Sequence, residues 1–323
     1  MNNSLIIAIA LAVCSACSAS PHREVVHAPA GADPIPAELL LPTIPAALRT
    51  PQERADYLAV HFWDKMDFAD TRLSLDTAFM EQNFVNFIDL LPHATPGGAE
   101  AAVERLTSSV AATDSTVTAF IFDIATRYLS DPLSPMRNEE LHILFLRQET
   151  LLPAVGEAAR DRAAFMLGEA LKNRPGTIPA DFTYVTPTGR STLLTTPVGT
   201  PTLSTGQTDA TSLLLMLYDP DCIHCKEITA SLASDPVVNA AIDNGSLTVL
   251  AVAVDGSRSR WEAHLPQMPS NWINGYDTTG IEEKELYPLP AMPVFYLLGP
   301  DHRVIVKDPP ASVIPSLLDG TAR

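Results

Sequence analysis

Six consecutive apolar residues, Leu213-Leu214-Leu215-Met216-Leu217-Tyr218, run through Asp219-Pro220-Asp221 into Cys222-Ile223-His224-Cys225. An apolar run without alternation suits a strand buried on both faces, which requires a sheet covered by helices on each side. Lys226, Ile228 and Leu232 continue at helical spacing, so the C-x-x-C opens a helix directly after that strand. Residues 247–254 make a second buried strand, with helical stretches between the two. Val294 to Leu298 and Arg303 to Lys307 flank the turn Gly299-Pro300-Asp301-His302 and read as a hairpin. Residues 184–194 read as another hairpin around a Thr-Gly turn, and 311–318 as a closing helix. The pattern predicts an α/β domain over 175–323, a mixed sheet with flanking helices and an extra N-terminal hairpin.

The position of the cysteines gives them chemistry. Unpaired backbone N–H groups and the positive end of the dipole at a helix start stabilise a thiolate. Two intervening residues bring the second sulfur within bonding reach, the minimum for thiol–disulfide exchange. Other uses stay open. Zinc needs about four ligands, and the segment offers Cys222, Cys225 and His224. Haem attachment needs a histidine where Lys226 stands. A static disulfide is possible in an oxidising compartment. No G-x-G-x-x-G follows a strand, so neither a nicotinamide nor a flavin is expected, and no other cofactor or metal is assigned.

At 323 residues the chain has room for two domains. Lys+Arg number 21 against 38 Asp+Glu, and a net charge of −17 argues against nucleic acid and against a basic membrane patch. Leu5 to Val13 is apolar, the length of a signal h-region and far short of the roughly 20 residues that span a bilayer. The following Cys14-Ser15-Ala16-Cys17 resembles a bacterial lipobox, which implies a lipid on Cys17; ordinary signal cleavage is the alternative, and both export the protein. Residues 1–20 are thus read as the signal and 21–49, rich in Ala and Pro, as a tether and entry segment. From 50 to 174 helical patterns predict an all-α domain of five or six helices. Thr50-Pro51-Gln52-Glu53 is a capping box, and stripes run through Leu58 and Phe62, Met80 to Leu91, Val117 to Tyr128, Leu141 to Leu152 and Ala159 to Ala170. Tyr57, Phe62, Trp63 and Phe68 are expected in its core, and His61 and His93 are expected to be ordinary residues.

The C-terminal part resembles the thioredoxin fold, in particular the TlpA/ResA-like branch of exported thioredoxin-like proteins. Three segments carry the resemblance: Gly176-Thr177-Ile178-Pro179-Ala180-Asp181-Phe182, Asp219-Pro220-Asp221-Cys222-Ile223-His224-Cys225 and Ala291-Met292-Pro293-Val294-Phe295. The whole arrangement is similar to Gram-negative envelope proteins whose helical part has no assigned activity. The resemblance implies Cys222 as nucleophile, Cys225 as resolving thiol, a cis bond before Pro293 and a Met292 backbone that pairs with substrate. His224 would favour the Cys222 thiolate, while Asp219 and Asp221 oppose it. The expected reduction potential is therefore intermediate, between about −270 mV for thioredoxin and about −120 mV for DsbA. Met216 stands where many thioredoxins bury an acid, which leaves the base for Cys225 unassigned; Glu282, Glu283 and Glu285 are read as a solvated helix face. The resulting expectation is a periplasm-facing, lipid-anchored oxidoreductase, more a reductase than an oxidase, of a Gram-negative cell envelope. Its partners would be protein dithiols and disulfides of the envelope, with a membrane thiol donor to recharge it. The second reading is an envelope scaffold lipoprotein whose C-x-x-C is a structural disulfide.

Overall fold

A computed structural model describes residues 39–196 and 212–319. The signal and most of the tether, with Cys14 and Cys17, lie outside the described residues. The helical part comprises α1 (Pro51–His61), α2 (Thr71–Ser74), α3 (Thr77–Leu90), α4 (Pro96–Ala111), α5 (Ser115–Ser130), α6 (Glu139–Leu151) and α7 (Glu157–Ala170). The capping box starts α1: Thr50 Oγ1 accepts from the Glu53 N–H at 3.2 Å, and the Glu53 carboxylate accepts from the Thr50 N–H at 3.0 Å. Met80, Phe84, Phe87 and Ile88 of α3 pack with Val117, Ile121 and Ile124 of α5 in one core. Phe62, Trp63 and Phe68 join it, with Phe62 edge-on to Trp63 at 5.3 Å, whereas Tyr57 stays half-buried against His61.

Helix α4 is absent from the stripes read in the sequence, because its buried face interleaves Ala99, Ala102 and Thr107 with Val103, Leu106 and Val110 and carries no aromatic. Its first turn contains Gly97 and Gly98, which weaken a helical pattern. Gly98 has a packing reason. Asp56 of α1 accepts from the Thr95 N–H at 2.6 Å and Thr95 Oγ1 at 3.0 Å, and a Cβ on Gly98 would collide with that carboxylate.

The C-terminal part contains β1 (Thr183–Thr186), β2 (Gly189–Thr192), β3 (Ser212–Tyr218), α8 (Ile223–Ser234), α9 (Pro236–Asp243), β4 (Leu247–Ala253), α10 (Arg258–His264), β5 (Ile273–Asp277), β6 (Val294–Leu298), β7 (Val304–Lys307) and α11 (Ile314–Leu318). They form one mixed sheet in the order β2-β1-β5-β4-β3-β6-β7. β3, β4 and β5 are parallel, and the other neighbours pair antiparallel. Side chains of β3 alternate between two cores. Leu214, Met216 and Tyr218 face one with Val249 and Trp261; Leu213, Leu215 and Leu217 face the other with Phe182, Tyr184 and Tyr296. The sequence pattern did not reveal β5, a five-residue strand centred on Gly275. A side chain there would meet Tyr184 Cδ2 at 2.7 Å, so the gap that hides the strand in the sequence is what lets β1 lie beside it. Glu282, Glu283 and Glu285 are exposed as expected, but on turns rather than on a helix.

The two parts are joined by a linker seated on the sheet and by a charged contact. Asn173 Nδ2 donates to the Leu286 carbonyl at 2.9 Å; the Gly176 N–H donates to Val304 O at 2.7 Å and the Val304 N–H returns to Thr177 O at 2.9 Å. Arg137, between α5 and α6, donates to the Asp308 carboxylate at 2.8 Å and its carbonyl at 3.1 Å. Lys307, with its side chain only 5% exposed, contacts Glu139 at 2.9 Å and donates to the Ala170 carbonyl at 3.0 Å.

His142 of α6 is 4% exposed, with Thr126 Oγ1 at 3.4 Å, and burial holds its imidazole down at about 4. Between its ordinary value of 6.5 and about 4, the unfolded chain takes up a proton that the folded chain refuses. Stability therefore falls as pH falls through that window, by up to about 3 kcal/mol for this residue. The carboxyls of Glu139, Glu149 and Asp308, raised by burial, act in the opposite sense, so a comparison of variants is needed. From pH 7 to 4, urea unfolding of the wild type should lose about 3 kcal/mol more than that of His142→Gln. Parallel pH profiles would show that the histidine is not buried in its neutral form.

Candidate active site

The site is set by the end of β3. Tyr218 O accepts from the Val254 N–H at 3.0 Å, which ties the last residue of β3 to the end of β4. Asp219 then makes the turn: its carbonyl accepts from the Cys222 N–H at 3.2 Å and its carboxylate from the Asp221 N–H at 2.8 Å. Cys222 is the N-cap of α8, and its Sγ accepts from the Cys225 N–H at 3.2 Å. Sulfur thus fills the capping role usually given to oxygen, and a thiolate fills it better than a thiol.

The two thiols, both free, differ in access. Cys222 is half-buried and Cys225 is 1% exposed. Burial first, and then the bond to the neighbouring Cys222 thiol, push Cys225 up to about 12. The Met292–Pro293 bond is cis, and the Met292 carbonyl lies 3.8 Å from Cys222 Sγ. The structure thus brings Cys222, Cys225, Met292 and Pro293 together. His224 lies exposed between the cysteines, with Glu227 at 3.9 Å.

Three residues here were missed by sequence reasoning. Arg260 of α10 donates to Asp221 at 2.8 Å, so the charge before Cys222 has a counter-ion 39 positions away. Both partners are more than half exposed, and the pair moderates local charge more than it adds stability. His264, at the end of the same helix, is buried with its ring 6.0 Å from that of Tyr218, and burial lowers its pKa. The Tyr218 hydroxyl is buried with no hydrogen-bond partner among the described residues; burial, then the Cys225 thiol, raise it above its ordinary range. Met216 shares a core with Cys225, and Thr229 Oγ1 lies 3.9 Å from the Met216 sulfur. No group of three or more His, Cys, Asp or Glu with metal-binding geometry occurs among the described residues.

Residues 14–173 match the family model of a domain of unknown function, DUF5106. No curated protein matches the chain. Among solved structures, a thioredoxin-like protein from Bacteroides caccae is 34% identical, over 87% of this chain and 98% of that one, with a TM-score of 0.73. The C-terminal domain of an uncharacterized protein from Bacteroides fragilis is 31% identical over 46% of this chain and 98% of its own, with a TM-score of 0.41. The thioredoxin domain of a thiol-disulfide oxidoreductase from Bacteroides vulgatus is 16% identical over 46% and 99%, with a TM-score of 0.37. By its likeness to the Bacteroides caccae protein over nearly the whole length of both, this chain belongs to that family of thioredoxin-like proteins.

Proposed function

We propose that the protein is an exported thiol–disulfide oxidoreductase that reduces disulfides of cell-envelope proteins, anchored by a lipid on Cys17 and facing the periplasm. The single observation that carries the reading is the asymmetry of the dithiol. One sulfur is accessible and hydrogen-bonded as a helix cap, and the other is buried and held protonated directly behind it. Attack and resolution need that division of labour. The Cys222 thiolate attacks a partner disulfide, one partner sulfur leaves as thiolate and takes a proton from water, and a mixed disulfide remains. Cys225 then loses its proton, attacks Cys222 and releases the second partner thiol. Two electrons pass from the dithiol to the partner, and a membrane thiol donor returns them. The proton of Cys225 passes to water as the mixed disulfide is resolved. The cis-Pro loop supports the assignment of Met292 and Pro293 to substrate contact, since among the described residues the Met292 carbonyl accepts only from the Cys222 thiol. His224 and Asp221 tune the pair, Asp221 with its charge offset by Arg260.

Trapping tests this reading. Incubated with reduced and denatured envelope extract reoxidised to disulfides, Cys225→Ser should accumulate mixed disulfides that dithiothreitol releases, while wild type does not. In the wild type treated with dithiothreitol and then a limiting alkylating agent at pH 8, Cys222 should be labelled before Cys225. A pair that resists both reduction and alkylation in the native state would instead make it a static staple, as in a scaffold.

A further inference from the structure

A groove of about 890 Å³ begins beside the dithiol, at His224, Met292 and Pro293, without being lined by either cysteine. It passes between α8 and the proline-rich segment after β7, and it ends against the helical part at Ser130, Pro132 and Arg137. We propose that the loop between α5 and α6 forms the far wall of the site for the polypeptide joined to Cys222. The helical part then selects which protein disulfides are reduced. This inference rests on the exchange reading above.

The occupant follows from the covalent step. In a mixed disulfide the partner's Cα lies about 4.4–6.8 Å from that of Cys222. The partner chain must therefore leave along the surface next to the sulfur, and the groove starts at the carbonyl 3.8 Å from that sulfur. Its volume is at the upper end of the roughly 300–1,000 Å³ of pockets that enclose a drug-sized ligand, which is room for a short peptide segment. The charges on its walls are already committed. Arg137 and Asp308 hold each other, and the Asp235 carboxylate accepts from the Val237 and Val238 N–H groups at 2.9 and 3.1 Å. Only His224, at the cysteine end, has no such close partner. Prolines supply much of the remaining wall and bring no backbone donor. The segment that fits is extended, uncharged and largely apolar, and it flanks the attacked cysteine of a protein disulfide. The wall is also held in place: Arg137 grips Asp308, whose own N–H donates to Phe295 O at 2.8 Å, and Phe295 lines the groove.

Pro132 is exposed at the tip of that loop, in a turn whose change need not disturb the dithiol. The experiment compares wild type, Pro132→Ala and Pro132→Glu on two substrates: insulin, and dithiobis(nitrobenzoate), which has no polypeptide to lay along the groove. With Pro132→Glu, kcat/KM for insulin should fall about tenfold while the rate with the small disulfide falls at most about twofold, and Pro132→Ala should lose less on insulin than Pro132→Glu. Undiminished insulin reduction by Pro132→Glu, or equal losses on both substrates, would overturn the proposed wall. A wild type that reduces the small disulfide but not insulin would overturn the polypeptide occupant. Failure of the wild type on both substrates would remove the exchange reading itself, and the groove's occupant with it.

Discussion

Cys222→Ser should lower insulin reduction by more than about a thousandfold, because a serine hydroxyl at this position is neither ionised at neutral pH nor able to form the mixed disulfide. The geometry makes the two cysteine variants unequal. The hydroxyl introduced by Cys222→Ser could still accept the Cys225 N–H and cap α8, so folding should be little affected. Cys225 would remain as a lone thiol, buried and held protonated up to about 12, and thus unable to take over as nucleophile. Cys225→Ser, in contrast, should retain the first attack and lose turnover by failing at resolution. A single-turnover assay with thiol quantification separates the two. Near-normal activity in Cys222→Ser would mean that electrons do not enter the substrate through this sulfur.

Lys307→Ala is the largest expected loss of stability, about 2–3 kcal/mol, since one partner is enclosed and the other half-exposed. The ammonium is almost fully enclosed and serves three acceptors: the Glu139 carboxylate and the carbonyls of Glu169 and Ala170 at the end of α7. Removing it leaves a carboxylate already pushed up by burial without its counter-ion, and two helix-end carbonyls without a donor. Glu139 is half-buried and its carboxyl is already raised, so without Lys307 it takes up a proton more readily, and part of the loss should be recovered at pH 5. Lys307→Met with Glu139→Gln should lose less than Lys307→Ala, since it removes both charges and keeps the volume. Urea unfolding at pH 7 and 5 measures all three proteins. A Lys307→Ala variant within 1 kcal/mol of wild type would show that the contact does not bear on stability.

Much of the molecule was legible in its residues, for identifiable reasons. Long uninterrupted runs such as 213–218 and 249–253 announce buried strands because every side chain on them is apolar and buried. Thr50 and Glu53 announce α1 because a capping box is purely local chemistry. Likewise the dithiol is recognisable because its two sulfurs lie within the first turn of the helix that Cys222 caps. What stayed hidden depends on tertiary contact. β5 carries a glycine where Tyr184 needs space, and α4 dilutes its buried face with two alanines and a threonine. Arg260 reaches Asp221 only because α10 is brought over the end of β3, and no local spacing signals that meeting. The role of Lys307 is of the same kind: in sequence it is the last residue of an amphipathic strand, and in space it is the bolt between two regions.

The pairing of the linker with the start of β7 carries a consequence of another kind. β7 is the last strand of the sheet, and a bare last strand offers its unpaired amides and carbonyls to any other extended chain. Here Gly176 and Thr177 already hold both backbone groups of Val304, and the chain runs from Lys307 and Asp308 into Pro309 and Pro310, which have no amide hydrogen to offer. Under the proposed exchange chemistry, in which extended substrates would meet the protein repeatedly, this margin is shielded from being lengthened by them, or by another copy of the chain.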